Sequence, residues 1–227
     1  MQLLLKDAYD FVRSRIDELS QTASDMLLDS VDDRNLEETV RQMLPEAIKR
    51  VVLDAPVQIL EANSEFTGTA GADYPGGTVE TAVIDGMFYF AIVDGDPVLR
   101  LVYFQVEDSK VVLTESVPED SPKGRMQLND YVKGRPDAPV LVLLQGRDTP
   151  YPSYAYFTTK LDAPYYRIGF IKYPVAETDI DSISFYDVGA KIHLPVLNQL
   201  TAMVLTAYGS QAAQYYQQVA ASYLNGR

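Results

Sequence analysis

The run LPVLNQLTAMVLTAYGSQAAQYYQQVAASYL, residues 194–224, holds no acidic side chain and spaces its apolar residues with the period of a helix. Gly209 breaks it as a C-terminal stop and Ser210 restarts it as an N-cap. The spacing therefore predicts a helical hairpin, Leu194 to Ala207 and then Gln211 to Leu224. At the other end of the chain, Leu4, Leu5, Ala8, Phe11, Val12, Ile16 and Leu19 recur at helical intervals. Lys6, Asp7, Asp10, Arg13 and Asp17 take the opposite side, which makes an amphipathic first helix. After the capping-type residues Asp29 to Asp33, a second helix reads from Arg34 to Met43. Pro45 suits the first position of a third helix that Asp54, Ala55 and Pro56 end. Three short helices can bury their stripes only against one another or against something later in the chain.

Between the two ends the texture changes. Residues 68–77, GTAGADYPGG, read as a loop; no Gly-Lys-Ser/Thr follows and a strand comes next, so the glycines do not form a phosphate cradle. Strand-like runs then recur at Val79 to Ile84, Met87 to Val93, Val98 to Val106, Lys110 to Glu115, Val140 to Gln145, Tyr154 to Thr159 and Tyr165 to Tyr173. Asp-Gly at 85 and 86 and Asp-Gly-Asp-Pro at 94 to 97 supply tight turns, which predicts an antiparallel meander. Ser121 before Pro122 reads as the N-cap of one short helix between the fourth and fifth strands. The expected class is α+β, in which N- and C-terminal helices form a helical bundle with an inserted antiparallel β-barrel or sandwich. Its expected parts are a helical segment 1–63, a β domain 64–190 and a hairpin 191–227 that completes the helical module.

Composition narrows the chemistry. With 227 residues and 47% of them hydrophobic, the chain can build a real core. The absence of cysteine removes thiol catalysis, Cys-ligated metals and disulfides, and fits a reducing compartment. A single histidine, His193, excludes His-only metal sites; no G-x-S-x-G elbow accompanies it, so a capping or packing role is expected. The formal charge of −13 repels phosphate backbones and anionic lipid. The early apolar run Leu3 to Leu5 falls far short of the roughly 20 residues of a membrane span, and no membrane association is expected. Residues 1–63 carry 13 acids and 7 bases, residues 64–190 carry 19 and 10, and residues 191–227 carry no acid and 2 bases. The acid-free end is thus set apart as a surface of a different kind.

Tyr208, Tyr215, Tyr216 and Tyr223 stand at intervals that place them on one helix face, either as amphipathic core or as a protein interface. Paired carboxylates, at Asp94 with Asp96, Glu107 with Asp108, Glu119 with Asp120 and the set Glu177, Asp179 and Asp181, are the remaining route to a hydrolase. All sit at predicted turns, where acids favour solvation and Asx hydrogen bonding. The stretch 177–181 lacks the glycine and terminal Glu of a calcium loop. No catalytic, cofactor or metal residue is assigned.

Five stretches carry a resemblance: LPEAIKRVVLDAP (44–56), VLRLVYFQV (98–106), ESVPEDSPKGRMQLND (115–130), GRPDAPV (134–140) and YDVGAKIHLPVLNQLTAMVLTAYG (186–209). Together they resemble the virion neck proteins of crAss-like and related short-tailed phages of gut bacteria. The helix, β-insertion, helix order is also similar to that of head–tail adaptors. The resemblance spans roughly residues 35–210, on turn and core motifs and not on reactive groups. It implies a structural protein without enzymatic activity, made in the bacterial host cytoplasm and placed in the virion neck as a ring of about twelve copies. Its partners would be its own copies, the portal protein and other neck or tail proteins, with DNA passing through unbound. Carboxylates facing such a bore would repel phosphate, with Asp25, Asp29, Asp32 and Asp33 as candidates. The acid-free terminal helix would lie at a subunit contact or on the portal. Two other readings stand beside this one. One is a binding module that stacks a glycan or peptide on Tyr151, Tyr154 and Tyr156; the other is a carboxylate-dependent hydrolase.

Overall fold

The computed structural model describes residues 2–21, 32–69, 79–84, 87–92, 98–106, 111–129, 131–144, 153–158, 165–178 and 183–225. Along the chain run β1 (Gln2–Leu4), α1 (Leu5–Gln21), α2 (Asp33–Asp54), β2 (Ser64–Thr69), β3 (Val79–Ile84), β4 (Met87–Ile92), β5 (Val98–Val106) and β6 (Val117–Pro118). There follow α3 (Pro122–Met126), β7 (Val140–Leu144), β8 (Ser153–Phe157), β9 (Tyr165–Lys172), β10 (Glu177–Thr178), β11 (Ser184–Asp187), α4 (His193–Ala207) and α5 (Ala213–Leu224). Among the described residues the chain is mixed α/β, with five helices and with strands that pair antiparallel except for β6 beside β7. It divides into two units, Met1–Glu61 with Tyr173–Arg227, and Ala62–Lys172.

In the first unit α4 packs against α1, α2 and α5. Val196, Leu200, Val204 and Leu205 have no exposed surface, and Asn198 and Thr201 are buried with them. The Asn198 amide donates to the Leu194 carbonyl at 2.8 Å and the Thr201 hydroxyl to the Leu197 carbonyl at 2.8 Å. Their polarity is thus returned to the helix's own backbone, and burial costs little. From α1 the stripe Ala8, Val12 and Ile16 faces inward, as its spacing predicts.

The second and third helices expected on either side of Pro45 are one helix, α2, capped by Asp32 and ended at Ala55. Its buried stripe, Leu36, Val40, Leu44, Ala47, Ile48, Val51 and Val52, crosses the proline unbroken. An interior proline costs about 3 kcal/mol. Each large apolar side chain beyond it recovers about 1.5–3 kcal/mol on burial, so continuity wins. Gln2–Leu4 is extended and not helical: β1 pairs with β11, Leu3 opposite Tyr186. Residues 173–190, expected with the inserted domain, lie in the unit formed by the chain ends, where β1, β11 and β10 make a three-stranded sheet.

Gly209 adopts φ 73° and turns α4 into α5. The Ser210 N–H donates to the Leu205 carbonyl at 2.9 Å and the Gly209 N–H to the Thr206 carbonyl at 3.0 Å, a Schellman closure. The Ser210 hydroxyl accepts the Ala212 N–H at 3.2 Å, so α5 opens at Ala213, two residues after the expected start. His193 is the first residue of α4 and does not cap it, since Ile192 is the N-cap residue; its Nε2 lies 3.0 Å from the Val188 carbonyl oxygen, which fits the packing half of the expectation.

The second unit holds two sheets, of order β2-β9-β5 and β3-β4-β8-β7-β6. They are not the expected meander, because β4 pairs with β8 and β5 with β9. Neither sheet closes among the described residues, so no barrel forms. The reason lies in the side chains. Phe104 of β5 lies 4.9 Å from Phe90, 5.9 Å from Phe88 and 5.3 Å from Tyr156 across the core, ring centroid to ring centroid. An aromatic on β5 that must meet the faces of β4 and β8 belongs on the opposite sheet.

Strand β2 falls partly in the segment read as a loop; its Phe66 stacks on Phe170 at 5.4 Å. Of the strand expected at Lys110 to Glu115, the described residues 111–115 form no strand, and Leu113 alone of them bridges, to Phe104. Ser121 caps α3 as expected, accepting the Gly124 N–H at 3.0 Å. The turns at 85–86 and 94–97 and residues 70–77 of the glycine-rich loop lie outside the described residues.

Two stability measurements check this architecture. Phe104→Ala is expected to cost about 3–5 kcal/mol in denaturant unfolding; a loss under about 1 kcal/mol would mean the two sheets do not share this core. Gly209→Ala is expected to cost about 1 kcal/mol through the left-handed turn, and an unchanged midpoint would contradict that.

Candidate functional site

Helix α5 begins at Ala213, and its 3.6-residue period sorts the tyrosines. Tyr216 and Ala220 point inward, whereas Tyr215 and Tyr223 point outward; Tyr215 is 63% exposed, Tyr223 48% and Tyr216 7%. Tyr208 is not on this helix at all but is the C-cap residue of α4. The four tyrosines therefore do not share one face, because the left-handed turn at Gly209 reverses the chain between the first and the rest.

What the fold does bring together is an aromatic and charged patch on α1 and α5. The Tyr215 and Tyr216 rings meet edge to face, 5.2 Å apart at 81°. The Arg15 guanidinium lies 5.0 Å above the Phe11 ring and binds Glu18 at 2.7 Å. Its hydrogen bond to Glu18 raises its pKa further, and Tyr216 and Tyr215 lie within electrostatic reach. Burial pushes the Tyr216 phenol up, against the opposing pull of Arg15. The sequence places Phe11 only in the apolar stripe of the first helix and does not single out Arg15, although their i, i+4 spacing on α1 is the signal that pairs them. The patch offers rigid contact area, one cation and phenol hydroxyls. Such a set suits recognition: it contains no nucleophile beside a base.

The other candidates fall differently. Asp25 and Asp29 lie outside the described residues. Asp32 caps α2, accepting the Arg34 N–H at 3.4 Å, and Asp33 pairs with Arg13 at 3.1 Å. Glu119 and Asp120 are exposed in the turn before α3, and Glu177 is exposed in β10. Asp94, Asp96, Glu107, Asp108, Asp179 and Asp181 lie outside the described residues. Among the described residues no group of three or more His, Asp or Glu is placed to hold a metal ion, and no helix is long and apolar enough to cross a membrane. Of the stacking tyrosines, Tyr151 is outside the described residues, while Tyr154 and Tyr156 are buried in the core of the two sheets. Period-two alternation turns them inward, which corrects the expectation that they are exposed.

Compared with known proteins, the chain matches no family model, no curated protein and no solved structure.

Burial pushes the Tyr154 phenol up to about 12. An unfolded tyrosine ionises near 10, so between about pH 10 and 12 the folded chain binds more protons than the unfolded one. Stability is full below that window and falls as pH rises through it. Tyr154→Phe is expected to remove on the order of 2 kcal/mol of this alkaline loss, read from unfolding midpoints against pH. Identical slopes for the two proteins between about pH 10 and 12 would refute the burial of this phenol.

Proposed function

We propose that this chain is a structural subunit of a phage neck, assembling with its own copies into a ring of about twelve between portal and tail. It acts by contact and performs no reaction. In this reading the helices of both chain ends are one helical bundle, and Ala62–Lys172 is a β-sandwich inserted into it, the organisation of head–tail adaptors. The observation that carries the reading is the folding of both ends into one unit whose acid-free α5 turns Tyr215 and Tyr223 to solvent. Tyrosines exposed on a helix face offer a partner large contact area at low entropy cost.

Two further features support it. The resemblance to neck proteins includes residues 44–56 and 186–209, which coincide with much of α2 and α4, the helices at the centre of that unit. A chain of charge −13, repeated around a ring, repels phosphate and keeps a bore from gripping DNA. Asp32 and Asp33 contribute to that field even while serving the helix end and Arg13.

Native mass spectrometry and electron microscopy of the purified chain are expected to show a ring. Because Tyr216 is buried, the informative variant is Tyr215→Asp with Tyr223→Asp, both exposed. It is expected to leave the unfolding midpoint unchanged and to weaken assembly or portal binding at least about tenfold, since hot-spot aromatics contribute about 2 kcal/mol or more each. Unaltered oligomer mass together with unaltered portal binding would reject this assignment.

A further inference from the structure

Of the asparagines Asn35, Asn63, Asn129, Asn198 and Asn225, only Asn225 is followed by glycine. The pair matters because an asparagine side-chain amide is open to attack by the backbone nitrogen of the next residue. Glycine brings no side chain to obstruct that approach and leaves the backbone free to rotate into it. Asn225 is exposed and is the C-cap residue of α5, at φ −91° and ψ 2°. Its N–H donates to the Ala221 carbonyl at 3.2 Å, and its Nδ2 donates to the same oxygen at 2.9 Å.

Placement in the fold decides which asparagines are protected. The attack requires ψ of the asparagine to turn until the following nitrogen meets Cγ. At Asn35 that nitrogen belongs to Leu36, whose N–H donates to the Asp32 carbonyl at 2.9 Å inside α2, and Asn198 is buried within α4. Turning ψ at either would break the helix. Asn63 Oδ1 accepts the Lys172 N–H at 3.0 Å and Asn129 Oδ1 accepts the Tyr131 N–H at 3.0 Å, and both precede residues with side chains, Ser64 and Asp130. At Asn225 the rotation moves only the chain beyond α5. The Asn225 N–H keeps its bond to Ala221, and one exposed side-chain hydrogen bond is all that must open, at small cost in water.

We propose that Asn225 is a site of spontaneous deamidation, and that the reaction places a carboxylate at the end of α5. The Gly226 nitrogen passes its proton to solvent and bonds to Cγ. The Cγ–Nδ2 bond then breaks, and Nδ2 takes a proton from water and leaves as ammonia. Water opens the resulting cyclic imide at either carbonyl, giving aspartate or isoaspartate. In sum one water is taken up and one ammonia released, with no oxidant, reductant or partner. The product is the first acid after Asp187. It stands at the negative end of the helix macrodipole, where a carboxylate is disfavoured, and it has lost the Nδ2 donor that serves the Ala221 carbonyl. The last turn of α5, which carries Tyr223, loosens as a result.

The test uses the full-length chain in mildly alkaline buffer, where the attacking nitrogen gives up its proton more readily. Peptide mass mapping over time is expected to find a gain of about 1 Da at Asn225 at least about tenfold faster than at any of the other four asparagines. The rate at Asn225 in the folded chain is expected to stay within about tenfold of the rate in urea, because α5 does not have to open. Gly226→Ala is expected to slow the reaction at least about tenfold. Comparable rates at all five asparagines, a larger protection by folding, or no effect of Gly226→Ala overturns the site. Asn225→Asp supplies one charged product directly; amides in the last turn of α5 are expected to exchange hydrogen at least about threefold faster than in the native chain, with those of α4 unchanged. Equal exchange in the two proteins overturns the effect on α5.

Discussion

Burial of α4 is the constraint from which the rest of its unit follows. A helix whose Val196, Leu200, Val204 and Leu205 are all withdrawn from water, and which carries no charged residue from Leu194 to Ala207, cannot lie on a surface. It needs neighbours on several sides, and they come from both ends of the chain: α1 and α2 from the first sixty residues, α5 from the last fifteen or so. The same demand accounts for the unbroken α2. Its stripe must remain in contact along the whole helix, and that outweighs the penalty of Pro45.

The second unit answers a different demand. Its core is aromatic, with Phe88, Phe90, Phe104, Tyr154 and Tyr156 within one cluster. Rings of that size fill a space between sheets only when they come from both faces, and this removes β5 from the sheet of its sequence neighbour β4. The tyrosines that seemed suited to stacking a ligand are used up in this way. Among the described residues, the tyrosines left exposed include Tyr215 and Tyr223 on α5, Tyr131 beyond α3, Tyr165 and Tyr173.

Charge and apolarity are partitioned in the same sense. Acids run from Asp7 to Asp187 and are absent from residues 188–227. On the surface, Asp32 and Asp33 are tied to a helix end and to Arg13, while exposed apolar residues occur in both units, Tyr215 and Tyr223 on α5 and Leu128 and Tyr131 after α3 among them. A molecule with a long-range negative field and short-range sticky points resists non-specific association yet retains particular contacts.

Periodicity and punctuation were enough to place α1, α4 and α5, the strands β3 and β5, the Ser121 cap and the Gly209 stop, because each depends on a few adjacent residues and on backbone sterics. Local pattern also exposed the acid-free end. It could not reveal that α2 is continuous, that β1 pairs with β11, that β2 exists within a glycine-rich texture, or that β5 leaves β4 for β9. Those outcomes depend on partners distant in sequence, and the free energy of burying a shared stripe or an aromatic ring is not written in either partner alone. The candidate site divides along the same line. That tyrosines cluster near the C-terminus is visible in the residues; which of them face water, and that Arg15 and Phe11 stand beside them, is settled by helix phase and by the turn at Gly209 once the chain has folded.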